Sequence, residues 1–520
     1  MRKTLRVAAI LALAGFAALA ALVLLPKPRL AEAQEGFSKP VDGAAVQGFF
    51  PPLPPVPMPP DAVLLSPQEK LGKLIIFDNT LSNPSGYSCF QCHAPTTGGT
   101  SGLSSATNLG AGPQPGVVPG RSGPRRPLSY AYAVFSPTGP FFDAVFANAW
   151  VGGLFWDGRV PDLSHQAQQP FINPDEMNNT PTNGVFPPTF GGFSALVVSK
   201  VKAKYRNQFT RVLGHDPFLT YTVHELYDLI CQTEAAYEAS GELNQFSSKY
   251  DASPFGVPAK NLYALSASEE RGRRLYFGIG AKNAHCAECH SSSAFPPVLA
   301  QTDGKDTFTM YCYANIGVPK NFNNPIYQET DCASNPHGCN PLGTKYVDPG
   351  LAGNPNAAPD GTVFNDPATN APFMGLFQAP TVRNVDLRPS PSFVKAYFHN
   401  GWAKSLATVV HFYNERNVAV NALGQKVAFD LTIGPPPGFN RQFAPPEVLT
   451  NVNNVQGMQS NVPGTAQVGN LGLSASQEQD LVNFMRILSD GLTAPNPVGG
   501  VGPAGPFSKA ARFGKAGRRA

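Results

Sequence analysis

The stretch "GYSCFQCHAP", residues 86–95, decides the reading of this 520-residue chain. Cys89, two spacers, Cys92 and His93 form the C-x-x-C-H pattern through which a c-type haem is attached. The spacing suits the chemistry, because both thiols add to the haem vinyl groups while the next residue turns its imidazole to the iron. With 8 Cys and 9 His in the chain, one such match is expected by chance roughly 0.002 times. A second is present, "AHCAECHSS", with Cys286, Cys289 and His290. A zinc clip or a redox pair accounts for either C-x-x-C alone but poorly for two copies that both end in His. The expected cofactors are therefore two covalently bound haem c groups, with His93 and His290 on the iron.

The N-terminus reads as a secretory signal: basic "MRKTLR", an apolar run over 7–25, and "LAEAQ" offering cleavage after Ala33. Left uncleaved, the run would serve as a membrane anchor, the one membrane association expected. Either way a periplasmic location follows. The formal charge of +4 is set by the ends, since residues 1–33 hold five basic and one acidic side chain and the tail from 491 holds five basic ones. Residues 34–490 thus carry −5. That balance gives a nucleic-acid role no support and suits a basic electron-transfer partner.

Charged residues make up 14%, with 50 Gly and 53 Pro, so much of the chain is coil. Residues 34–62, including "FFPPLPPVPMPP", read as a Pro-rich linker, and 495–520 as a disordered basic tail. An internal repeat organises the rest. "SPQEKLGKLIIF" from Ser66 and "SASEERGRRLYF" from Ser266 share Ser, Glu, Gly and Phe at an offset of 200. Each reads as a helix opened by a capping box and leading into a haem motif. "TVHELYDLICQTEAAYEAS" from Thr222 and "SASQEQDLVNFMRILSD" from Ser474 supply a closing helix for each half. The expected fold is mostly α with extensive coil: two tandem cytochrome c-like domains, each holding one covalent haem. The first spans 63–255 and the second 256–494, with a loop insertion at about 303–372.

The sequence resembles the bacterial dihaem cytochrome c peroxidase and MauG family. Beyond the repeat, the resemblance is carried by "FWDGRVPDLSHQAQQPFINPDEMN" (155–178), "QAPTVRNVDL" (378–387) and "AYFHNGWAKSLATVVHFYN" (396–414). It implies peroxide chemistry at the N-terminal haem and electron relay at the C-terminal one. Many family peroxidases place a second His in the loop after the first haem motif. Here residues 94–164 contain no His, His165 lies beyond that loop, and no Met falls between Met58 and Met177. The iron above His93 is accordingly read as open, as in the MauG-like branch.

By the resemblance, Glu176 and Gln166 are the distal catalytic pair, Pro170 is a pocket wall, and Trp156 is the aromatic between the haems. Arg159 is expected to contact a haem propionate; on the residues alone, a surface loop Glu and an ordinary ion pair account for Glu176 and Arg159. The family's calcium site has Arg126 where an Asn is usual, so calcium is doubtful, although carbonyls near Pro380 and Thr381 offer ligands. For the second iron, Leu406, Val409, Val410 and Tyr413 recur at i, i+3, i+4 and i+7 and share one buried face, which turns Tyr413 inward. At the family position Tyr413 is the metal ligand, and Met374 and Met458 are the competing donors. A phenolate favours the more oxidised iron and so lowers its reduction potential.

Cys332 and Cys339 flank the turn "ASNPHG" and are expected to form a disulfide, with a metal clip at His337 as the alternative. Cys231 reads as a buried free thiol, and Cys312 has no assigned partner. The function expected is an exported dihaem oxidoreductase, a cytochrome c peroxidase-like enzyme. It would reduce hydrogen peroxide with electrons from a donor protein, a small cytochrome c or copper protein, or from a small molecule. The alternatives are MauG-like oxidative modification of a partner protein, a plain dihaem electron carrier, and a haem-based sensor without a visible output domain.

Overall fold

The computed structural model describes residues 64–189, 191–260, 262–452 and 468–491; the expected signal peptide, Pro-rich linker, basic tail and Met458 lie outside them. The first half is built from α1 (Pro67–Ile76), the single turn α2 (Cys89–Cys92), α3 (Leu163–Ile172), α4 (Ala195–Leu213) and α5 (Val223–Glu238). The second has α6 (Ala267–Tyr276), the short α7 (Pro296–Gln301), α8 (Leu406–Glu415) and α9 (Ala475–Arg486). Sheet is sparse among the described residues. β1 (Phe141–Asp143) pairs antiparallel with β2 (Ala149–Val151), setting Phe142 opposite Trp150. β3 (Tyr313–Ala314) pairs with β4 (Phe377–Gln378), and β5 (Val418–Asn421) lies between β6 (Lys426–Ala428) and β7 (Phe439–Arg441). No described helix is long and apolar enough to cross a membrane.

Local chemistry sets where the long helices begin. Ser66, Thr222, Ser266 and Ser474 each cap a helix whose third residue, Glu69, Glu225, Glu269 or Gln477, bonds back to the capping backbone. The repeated glycines explain how the helices then pack. A Cβ on Gly72 of α1 would sit 2.0 Å from the carbonyl oxygen of Thr233 in α5. One on Gly272 of α6 would sit 2.0 Å from that of Asp480 in α9. In each half, opening and closing helices therefore cross in backbone contact, which only Gly permits.

The two largest apolar cores among the described residues form around these helix pairs. Leu71, Ile75, Phe171, Val201, Phe209 and Ile230 centre the first; Leu275, Tyr276, Leu406, Val410, Leu481 and Phe484 centre the second. Tyr250 already belongs to the second core, next to Phe308 and Phe484. Arg383, 1% exposed, ties the segments together: it holds Asp251 through two bonds of 2.7 and 2.8 Å and faces the rings of Tyr132 and Phe246.

The insertion at 303–372 does not stay within the second half. Asn324 donates to the Pro124 carbonyl at 2.5 Å, Arg125 grips Asp348 through two bonds of 2.7 Å, and Arg121 donates to the Ser334 carbonyl at 2.6 Å. Its Asn- and Asp-rich composition is what lets it pair with arginines of the first half.

Candidate active site in two cysteine-histidine cavities

Each haem motif opens into its own cavity. The first, of about 570 Å³, is lined by Cys89, Cys92 and His93. Nδ1 of His93 lies 2.9 Å from the Leu128 carbonyl and 3.1 Å from that of Gly99, which fixes the ring and leaves Nε2 as the nitrogen available to a metal. Burial pushes its pKa down, so the imidazole is in the neutral, ligating form. Cys286, Cys289 and His290 line the second cavity. There Nδ1 of His290 lies 2.9 Å from the Pro380 carbonyl, and burial pushes its pKa down to about 4. Paired thiols beside an anchored neutral imidazole fit a covalent haem in both places.

Gln166, Pro170 and Glu176 line the first cavity with His93. Pro170 sits inside α3, and the chain turns back after that helix through Asn173. Asn173 Nδ2 donates to Oε1 of Glu176 at 2.9 Å, and the Glu176 carbonyl accepts from Val117 N–H at 2.8 Å. Burial raises the Glu176 pKa, with Arg159 opposing. A carboxyl held in this way is suited to accepting and returning a proton. Arg159 also lines this cavity, held by Asp157 through Nη1 at 3.1 Å and by Gln169 through Nε at 2.9 Å, and stacked on Phe155. His165 turns to Asp162 at 2.8 Å and is not among the lining residues.

Trp156, Arg126, Gln378 and Pro380 line both cavities and form the wall between them. Trp156 is 6% exposed and donates its indole N–H to the Arg126 carbonyl at 2.8 Å. The Arg126 guanidinium donates to the Phe398 carbonyl at 3.1 Å and lies over the Trp156 ring. The Arg126 guanidinium at this wall disfavours a calcium ion, and the Pro380 carbonyl already meets His290.

In the second cavity the expected face of α8 is present: Leu406, Val409, Val410 and Tyr413 all line it. Burial raises the Tyr413 pKa, Cys289 and Cys286 add to this, and Arg416 opposes. His411 turns away to Glu478 at 2.9 Å. Met374 is not among the lining residues. Met485 of α9 is, as is His399, which stacks on Phe377 at 3.6 Å and faces Glu447 at 3.8 Å. Neither was singled out from sequence as a lining residue, since nothing local marks a helix-borne Met or a turn His as facing a cofactor.

Cys332 and Cys339 are joined in a disulfide, and Cys231 is a buried free thiol. With both sulfurs in that bond the metal-clip alternative has no thiolate ligands, and His337 stacks face to face on Phe186 at 3.7 Å. Cys312 is free and fully buried, in a bridge beside Val151. The insertion contributes residues to the first cavity, His337 and Leu342 among them, that sequence alone gave no reason to place there.

Residues 66–256 match the family described as di-haem cytochrome c peroxidase. The chain is 29% identical over 360 residues to the methylamine utilization protein MauG of Paracoccus denitrificans, covering 66% of this chain and 73% of that one. It is 27% identical over 382 residues to the cytochrome c551 peroxidase of Nitrosomonas europaea, covering 72% and 83%. The crystal structure of the diheme peroxidase BthA from Burkholderia thailandensis superposes with a TM-score of 0.56 at 26% identity, over 83% of this chain and 88% of that one.

Proposed function

We propose that this chain, a peroxidase-like oxidoreductase similar to the dihaem cytochrome c peroxidases and to MauG, reduces hydrogen peroxide in its N-terminal cavity. The observation that carries this reading is the meeting, in one cavity, of an anchored His93 with the buried carboxyl of Glu176. A haem held by Cys89, Cys92 and His93 supplies the iron that binds peroxide and takes up its oxidising equivalents. Glu176 then accepts the proton of the inner peroxide oxygen and returns it to the outer one, which leaves as water. Gln166 orients the peroxide through its amide, and Pro170 keeps the pocket narrow. His290 and Tyr413 would hold the second haem, and Trp156 stands in the wall that electrons between the two haems would cross. The reading places the protein in the periplasm, supported by the leader-like N-terminus and the disulfide.

Electrons come from a small cytochrome c, a copper protein or a small-molecule donor reaching the second cavity. Tyr413 in that cavity favours a second reading, in which the oxidising equivalents are turned on a partner protein in the MauG manner. The deciding experiment follows peroxide consumption by the purified dihaem protein with a reduced small c-type cytochrome. Stoichiometric cytochrome oxidation supports the peroxidase reading; peroxide reaction without donor oxidation supports the second. No spectral response to peroxide refutes both.

A further inference from the structure

The roof of the first cavity comes from the other half of the molecule. Residues 332–339 are closed into a small ring by their disulfide, and Asn335 and Gly338 of the ring meet Asp175 on the turn that carries Glu176. Asn335, itself 5% exposed, donates through Nδ2 to Asp175 Oδ1 at 2.7 Å. Gly338 is so close that a Cβ there would fall 2.1 Å from the same carboxylate oxygen. His337 stacks on Phe186 and joins the ring to the loop that ends in Pro187 and Pro188, which also line the cavity. Arg121 holds the ring from the outside through the Ser334 carbonyl. Past the ring, Asn340 donates to the carbonyls of Ile326 at 2.9 Å and Gly343 at 3.0 Å, fixing the stretch in which Pro341 and Leu342 face the cavity.

We propose that this disulfide-closed loop is a specificity-determining roof: it braces the Asp175–Glu176 turn, admits hydrogen peroxide and excludes hydroperoxides with bulky alkyl groups. The physical reason is that a ring of eight residues with a cross-link, a buried amide bond and an aromatic stack has little freedom to move aside. Discrimination then comes from size at the entrance. Asn335 and Gly338 act through Asp175 and are positioning residues; His337 and Leu342 shape the opening. The inference rests on the first cavity being the peroxide site.

Two variants of the full dihaem protein test it: His337→Ala with Leu342→Ala, which trims the opening, and Cys332→Ser with Cys339→Ser, which releases the ring. For each, the ferric N-terminal haem is titrated with cyanide and with imidazole, and rates are measured with hydrogen peroxide and with cumene hydroperoxide. Both variants are expected to raise the large-to-small ratio about tenfold or more, in ligand binding and in reaction alike. Unchanged ratios in both variants overturn the roof, as does a parent protein that takes large and small partners equally well or binds neither. A parent that binds cyanide and is inert to hydrogen peroxide removes the peroxidase reading instead, and the cyanide-to-imidazole ratio still judges the roof.

Discussion

Trp156 donates its indole N–H to the backbone carbonyl of Arg126 at 2.8 Å, and both residues belong to the wall shared by the two cavities. Trp156→Phe keeps an aromatic ring there and loses that bond. The variant should retain both haems, lose about 1 kcal/mol of stability, and show slower peroxide-driven oxidation of the second haem. Unchanged oxidation kinetics would leave Trp156 with a packing role alone.

Both motifs should carry haem covalently. Intact mass of the parent protein is expected to exceed the polypeptide by two haems, and denaturing gels should stain for haem. Losing both thioethers of the first motif, in Cys89→Ala with Cys92→Ala, should leave one haem on the chain. A folded, haem-free, zinc-loaded protein is the result that ends the account.

Glu176 has its pKa raised by burial, so the carboxylate that accepts the peroxide proton forms at higher pH than in a freely solvated Glu. The rate of reaction with peroxide should therefore fall as pH drops through that raised value. Glu176→Gln should lower the rate by about 10² while leaving haem content intact, and the acid limb should vanish with it. Survival of that limb in the variant would assign the titration to another group.

Gly72→Ala tests the packing inferred from the repeat. Alanine gains up to about 1 kcal/mol of helix propensity over glycine. Against this, its Cβ would lie 2.0 Å from the Thr233 carbonyl, a clash of the kind that costs about 1–3 kcal/mol. The clash wins, and thermal unfolding should shift downward. A rise in unfolding temperature would mean that α1 and α5 do not meet at this point.

What was legible in the sequence is what neighbouring residues decide. The capping boxes at Ser66, Thr222, Ser266 and Ser474 stand where the spacing put them, because a cap needs only residues three apart. The inward face of α8 followed from its period, and the Cys332–Cys339 bridge from its short turn. The roof was not legible. Asn335 meets Asp175 across 160 residues, and an Asn-rich loop carries no periodic signal of where it will dock. The same holds for Met485 and His399, whose place in the second cavity is set by helix packing and not by local pattern.

Tyr413 bears on how the second haem works. If it is the ligand, Tyr413→Phe should change the near-infrared and resonance Raman spectra of the second haem, leave the first unaltered, and raise the second haem's reduction potential. A thioether-ligand band in the parent would point to Met485 instead.

On the proposed function, the iron above His93 would be open and ready for peroxide while the second iron would be closed. Electron paramagnetic resonance of the ferric protein, recorded before and just after one equivalent of hydrogen peroxide, tests it most directly. One high-spin and one low-spin signal are expected at the start, with the high-spin signal lost on peroxide addition without prior reduction. Two low-spin signals that peroxide leaves unchanged until an electron is supplied would contradict it.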